Sequence, residues 1–542
     1  MSCYSFWKHC FLLTYSELVI MKRSRLYIFG TLISCTVALT SCNLFKRITN
    51  NDSTAKPTIE VVSKIKLNLQ GTNEKTISPS LSDDSIKNPV FQYSLEDESI
   101  ASISGDTIKA KKTGDTKLTI SLTSDSSIKT TIPVRVLDLT PATYDYTIMY
   151  YMCGSDLEYA SSSTPSSQQE FFTKDIQEIL SVKNLPDSVN ILIETGGTKK
   201  WAMPSSYLEG ATSISSSKLQ RWQVNSATGK LKLIQTLSYN EMAKTSSFQD
   251  FLDWGLTNYK AKQMGVVISG HGGGIAGCAY DDNYTYRYGS ENYPNTLQTF
   301  EVAEAADNAL WETDLEKFTW IGYDCCVMQC SDIASINSEY FDYMVASQEL
   351  ENATGWNHDV YLPALKTNSK ITPENFLPQI CDAFLEDNHK STEYEGCYQT
   401  LSVLDLTKYD ALISSFNAFS KELGTTSVSY SKAKTAMKSA FNNLGEKMFG
   451  LVDFVSFMEA FSASYSYDTK AVVEAIKNVV IYNKYCSKYS TKLCGLNAFL
   501  PEYLSSDRDY ALQVGKEDYQ GEKATKFTTW QEMCLTNGNF GW

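Results

Sequence analysis

The chain has 542 residues, 42% of them hydrophobic and 20% charged, with a formal net charge of −14. This length exceeds one ordinary domain, and the composition is that of a globular protein able to build a core. The acidic balance excludes nucleic acid as a partner held by basic patches.

In chain order, the first feature is a leader. From Met21 the chain reads MKRSRLYIFGTLISCTVALTSC. Lys22, Arg23 and Arg25 form a charged start. Tyr27 to Leu39 is an apolar run too short to span a bilayer. The run ends in LTSC, Leu39 to Cys42, which resembles the bacterial lipobox. Residues 1–41 are therefore expected to be removed, with Met21 the true start, and Cys42 to carry the lipid. An ordinary signal peptide with a chance cysteine is the alternative. Asn43 follows the cysteine where Asp would otherwise retain a lipoprotein in the inner membrane. The expected location is the bacterial cell envelope, lipid-anchored in the outer membrane. Residues 42–56 are polar and read as a tether.

Residues 57–138 change to period two. Leu118, Ile120 and Leu122 alternate with Lys117, Thr119 and Ser121, and Ile132, Val134 and Val136 repeat the pattern. Turn signals SGD (104–106) and TGD (113–115) separate such runs, so a small all-β sandwich is predicted. The stretch YSLEDESIASISGDTIKAKKTGDTKLTISL also resembles bacterial immunoglobulin-like domains of the intimin type, which implies a spacer or adhesive role.

After a linker at 138–145, strands and helices alternate. YTIMYYM (146–152), SVNILIET (188–195), GVVISGH (265–271), FTWIGYD (318–324) and YFDYMVAS (340–347) are apolar runs suited to buried strands. EFFTKDIQEIL and SSFQDFLDWGLTNY (246–259) show helical spacing, the latter opening on serines that can cap it. The pattern predicts an α/β domain over 144–542, with a mostly parallel sheet flanked by helices.

Sites in such sheets lie beyond the carboxyl ends of the strands. His271, one of four histidines, and Cys326 both lie at such ends. If their strands are neighbours, thiol and imidazole converge as a nucleophile and its base. Gly272 lets the backbone approach closely, and its N–H with that of Cys326 is suited to an oxyanion. A glycine turn with a buried structural cysteine is the alternative.

The motifs SGHGGG (Ser269 to Gly274) and DCCVM (Asp324 to Met328) resemble those of the clostripain family of cysteine peptidases, in the clan of caspases, legumains and gingipains. YTIMYYMCGSDLE, MVASQELENATGW (344–356) and GLNAFLPEY resemble further segments of that family. The resemblance implies a caspase-like fold, a Cys–His dyad of Cys326 and His271, and cleavage of protein or peptide substrates. Cys325 stands at the family's alanine position, and the GSDLE turn is altered. The resemblance implies no required cofactor, although some relatives use calcium. It also places Asp324 at the base of the pocket for the residue before the cut bond, selecting Arg or Lys. The bland alternative for Asp324 is an N-cap for a helix beginning near Val327.

His358, on a polar stretch, is a rival base, and His389 reads as surface. Cys325, Cys326 and Cys330 are poorly spaced for a metal. An esterase is excluded because no G-x-S-x-G elbow is present. A decayed peptidase fold on an anchored surface protein, binding glycan or host protein through its immunoglobulin-like domain, is the non-enzymatic alternative. Relatives in the family are made as zymogens. The polar stretch 278–298 reads as an exposed loop, and Arg287 is the only Lys or Arg between Lys262 and Lys317. Self-cleavage is therefore expected after Arg287.

Overall fold

A computed structural model describes residues 56–82, 86–159, 169–288, 291–385, 399–440, 450–486, 489, 492–501 and 525–538. The leader, Cys42, all but the last residue of the tether, and His389 lie outside the described residues. The chain divides into two compact units at Thr140/Pro141.

The described residues of the N-terminal unit form β-strands and turns. Strands Ile65–Asn68, Asp125–Leu137, Gly114–Leu122 and Phe91–Leu95 form a four-stranded sheet in that order. Glu74–Thr76, Thr107–Ala110 and Ala101–Ser104 form a three-stranded one. The alternating residues do what period two requires. Leu118, Ile120, Ile132, Val134 and Val136 are buried together with Ile65, Leu67 and Ile108, and the residues between them face outward.

The second unit is built on a ten-stranded sheet. Its strands are β1 (Tyr144–Cys153), β2 (Val189–Gly196), β3 (Leu208–Glu209), β4 (Gln220–Asn225), β5 (Lys230–Thr236), β6 (Ala261–Ser269), β7 (Phe318–Asp324), β8 (Phe341–Ala346), β9 (Thr400–Asp405) and β10 (Val480–Tyr485). Their order across the sheet is β3-β5-β4-β2-β1-β6-β7-β8-β9-β10. The five central strands β2, β1, β6, β7 and β8 run parallel. Antiparallel strands extend both sides.

Every residue of β2 and nearly all of β1 is buried, because helices cover both faces. Met149, Tyr151 and Cys153 pack to one side with Phe248, Phe251 and Leu252 of the helix Thr245–Tyr259. Tyr146, Ile148, Tyr150 and Met152 pack to the other, with Ile176 of the helix Phe171–Ser181 and Phe376 of the helix Pro373–Leu385. This is the α/β architecture expected from the alternating pattern.

Three local expectations are corrected. The helix Thr245–Tyr259 starts after Lys244 with no side-chain cap, so its serines do not serve that role; Ser247 and Phe248 are instead buried against the sheet. Residues 278–298 are not an irregular loop. Cys278–Tyr288 and Glu291–Leu297 pair as an antiparallel hairpin, with Arg287 opposite Asn292 near its tip. Tyr and Thr in alternation suit a strand better than the Asn and Asp content suggested. Finally, no helix starts near Val327. The next helix, Ser331–Asn337, follows Cys330, so Asp324 is not an N-cap.

Candidate active site

β6 and β7 are neighbours, in register from Gly265 opposite Trp320 to Ser269 opposite Asp324. The pairing continues one step further, since Gly270 N–H donates to the Asp324 carbonyl at 3.2 Å. His271 and Cys326 therefore leave the sheet side by side at its carboxyl edge. Both line one cleft, with Asp175, Asp324, Glu351 and Gly355 among its walls.

Glycine makes this approach possible. A Cβ on Gly272 would lie 2.3 Å from the Cys326 carbonyl oxygen and 2.9 Å from its backbone nitrogen. Only a residue without a side chain lets the two strand-end loops touch. Val327, directly after the thiol, has a φ of 54°, and Ser155, at the neighbouring strand end, has a φ of 43°. For non-glycine residues these are strained conformations costing about 1–3 kcal/mol each, and such strain gathers at functional sites.

The two adjacent thiols differ in environment. Cys325 is 1% exposed and donates to the Ile268 carbonyl at 3.4 Å inside the core. Burial pushes that thiol well above its ordinary range. Cys326 is 7% exposed and turned to the cleft. Glu351 N–H donates to its sulfur at 3.3 Å, and Val327 N–H donates to the Glu349 carbonyl at 3.0 Å. The segment 349–351 thus runs alongside the thiol.

His271 has a partner that sequence reading missed. Its Nε2 lies 2.7 Å from Asp156 Oδ1. A carboxylate accepts only, so Nε2 is the donor in this contact. Asp156 sits on the short helix Ser155–Glu158 after β1. That turn is fixed from several sides. Gly154 N–H donates to Gly196, Ser155 N–H to Gly197, and Thr198 Oγ1 to the Ser155 carbonyl. Glu158 accepts from Thr173 and Ala202. The altered GSDLE turn was the available signal. It places an acid at the third adjacent strand end, and β1 and β6 are neighbours.

Asp324 ends β7 and is buried. Gly355, with a φ of +64°, passes so close that its own Cβ would lie 3.0 Å from Asp324 Oδ2. Burial pushes the Asp324 carboxyl up to about 7, against the nearby Glu351 side chain and the Trp356 N–H, which pull it down. Asp175 on the helix Phe171–Ser181 is also buried. It is pushed well above the usual range by burial and then by the Asp324 charge.

His358 is not on an open loop. It is wholly buried and opens the short helix His358–Tyr361, with Nδ1 2.6 Å from the Tyr361 hydroxyl. Burial pushes it down to about 3, so it is neutral. It lies with Asp175 and Asp324, each offering one ligand atom within 4.8 Å of the others.

The segment bearing Glu351 and Gly355 is anchored by the C-terminal GLNAF stretch. Gln348 Nε2 donates to Asn497 Oδ1 at 2.9 Å, and Asn497 Nδ2 donates to the Gln348 carbonyl at 2.8 Å. Asn497–Phe499 pairs with Leu451–Asp453, outside the main sheet. Nine cysteines lie among the described residues, and none is joined in a disulfide.

A family model described as the Clostripain family matches residues 151–534. A second, described as the hyaluronate lyase N-terminal beta-sheet domain, matches residues 86–136. No curated protein matches the chain. Among solved structures, an inactive zymogen C11 protease from Parabacteroides distasonis is 17% identical, with a TM-score of 0.49 over 72% of this chain and 99% of that one. A secreted C11 cysteine protease from Bacteroides thetaiotaomicron is 16% identical, with a TM-score of 0.48 over 66% and 94%. The same description, in complex with an irreversible peptide inhibitor, gives 16% and 0.47 over 69% and 99%.

Proposed function

This chain belongs to the clostripain family of cysteine peptidases, and on that premise we propose that it is an endopeptidase cutting after Arg or Lys with Cys326 as nucleophile and His271 as base. The observation that carries the reading is the pair of neighbouring strand ends, one bearing the imidazole and the other the cleft-facing thiol, above a buried carboxyl.

His271 Nδ1 takes the thiol proton while Nε2–H stays on Asp156, which steadies the imidazolium. The thiolate attacks the carbonyl carbon, and the carbonyl π pair moves to oxygen. The N–H groups of Gly272 and Cys326 are the assigned oxyanion donors. As the tetrahedral species collapses, the C–N bond breaks and His271 gives its proton to the leaving amine. Water, deprotonated by the same imidazole, then attacks the thioester and releases Cys326.

Asp324 receives the basic side chain. A guanidinium entering the cleft favours the ionised Asp324 carboxylate, whose proton leaves to solvent, and meets it in a charge-assisted contact. The leader, with Cys42 as lipid carrier, supports an anchored protein of the cell envelope, with the N-terminal β unit as spacer. Arg287 near the hairpin tip is the proposed self-cleavage position.

The test is a set of peptides differing only in the residue before the cut bond, given to wild type and Asp324→Asn. Wild type is expected to cut after Arg and Lys, and the variant to lose about 100-fold or more in kcat/KM on those peptides. Equal cutting after Arg and Ala by wild type overturns the specificity.

A further inference from the structure

Beneath the cleft lies a group of side chains that the peptidase chemistry does not use as a whole. Asp175, Asp324 and His358 come from three separate elements, the helix Phe171–Ser181, the end of β7, and the helix His358–Tyr361. Each offers a ligand atom within 4.8 Å of the other two. All three are buried, at 3%, 7% and 0% exposure. Two of their polar atoms have no hydrogen-bond partner, Asp175 Oδ1 and His358 Nε2.

Orphaned polar atoms in a buried site cost about 1–3 kcal/mol each and call for an occupant. His358 Nδ1 meets the Tyr361 hydroxyl, which in turn meets the Tyr150 hydroxyl at 2.8 Å. That chain fixes the ring and lets Nδ1 carry the proton, leaving Nε2 its lone pair. Such an outer partner is what a metal-binding imidazole uses. The cleft above, walled by Asp175 and Asp324 but not by His358, holds about 20 Å³ of free space, room for one water. A guanidinium is larger than that space and needs the segment bearing Glu351 and Gly355 to shift.

We propose that Asp175, Asp324 and His358 bind one divalent first-row metal ion, of the manganese class, which competes with the basic side chain of the substrate and holds the peptidase inhibited. One imidazole with carboxylate oxygens suits such an ion, and its bonds of about 2.1 Å need donors roughly 3–4 Å apart. With the His358 ring held, rotation of the Asp175 and Asp324 carboxyl groups by on the order of an ångström brings the donors to that spacing. Sharing Asp324 makes occupation by metal and by substrate exclusive. The binding half stands on the cluster alone, and the competition half rests on the specificity proposed above.

The experiment uses the full chain carrying Cys326→Ala, so that neither catalysis nor the thiol contributes. Titration with Mn2+, followed by loss of the free-ion electron paramagnetic resonance signal, is expected to show one bound ion per chain. His358→Gln and Asp175→Asn, each added to that background and each checked for an intact thermal transition, are expected to weaken binding at least tenfold. In the chain with Cys326 intact, Mn2+ is expected to raise KM for an Arg peptide without lowering kcat. Either His358→Gln or Asp175→Asn should remove that rise relative to the variant's own uninhibited rate. No binding up to millimolar Mn2+, or binding unaltered in both variants, overturns the site. Binding at the site with no rise in KM overturns the competition. If binding holds but no peptide is cut at all, the site stands and the peptidase reading fails.

Discussion

At the residue scale, two neighbouring thiols have been given opposite fates by a one-residue step along the chain. Cys325 turns into the core toward Ile268, while Cys326 turns to the cleft beside His271. Cys326→Ala is expected to abolish hydrolysis of an Arg peptide, and Cys325→Ala to retain most of it. If the second variant is the dead one, the nucleophile has been assigned one residue too late. In the proposed mechanism Asp156 acts through His271, as a positioning residue. Asp156→Ala is expected to lower kcat by about 100-fold with little change in KM. A merely structural role would instead lower the melting temperature and leave kcat per folded molecule intact. Asp156 was the residue least legible from sequence, because nothing in GSDLE says which neighbour its carboxylate will meet.

At the scale of elements, the loop after β6 and the loop after β7 pack backbone to backbone at Gly272. Gly272→Ala drives its new methyl into the Cys326 carbonyl, and either loop must move. A loss of about 1–3 kcal/mol of stability is expected by thermal or denaturant unfolding, together with a fall in kcat. The hairpin Cys278–Tyr288/Glu291–Leu297 carries a second testable group. Burial pushes the Asp281 carboxyl up to about 6, against hydrogen bonds from the N–H groups of Met242 and Asn283. Its folded-state pKa therefore lies above the unfolded value near 3.8. The folded form holds the extra proton, so this contribution is full below about 3.8 and is lost as pH rises through about 6. Wild-type melting temperature is expected to fall more steeply between pH 4 and 7 than that of Asp281→Asn. Parallel curves would show that Asp281 does not titrate in this window. The same hairpin was read from sequence as a loop, since Asn, Asp and Gly mark turns, and its cross-strand pairing is a non-local fact.

At the scale of the molecule, the two units have separate cores. Ile65, Leu118 and Val134 belong to one, and the two faces of the ten-stranded sheet to the other. A chain beginning at Pro141 is expected to fold and to cut short peptides with the same kcat/KM as the full chain, measured under matched conditions. Loss of folding on that truncation would show that the division at Thr140 is not a domain boundary. The proposed spacer role predicts a different outcome only for a lipid-anchored chain acting on large substrates.

What the sequence determined by itself is whatever local periodicity and chain chemistry can fix. Alternation along 117–136 specified half-buried strands, and unbroken apolar runs between amphipathic helices specified a covered parallel sheet. Gly-rich and Cys-containing strand ends marked where chemistry belongs, because sites in such sheets form at that edge. Only the tertiary structure decided which strand ends are neighbours. The order β2-β1-β6-β7 is what brings Asp156, His271 and Cys326 to three adjacent positions, although 115 residues separate the first two. It also decided that Asp175, Glu351 and His358 surround Asp324, from segments well removed from it in the sequence. The physical reason is common to both. Backbone periodicity is set within a few residues, whereas the meeting of charges depends on sheet order and helix docking, which come from burial of the whole apolar surface at once.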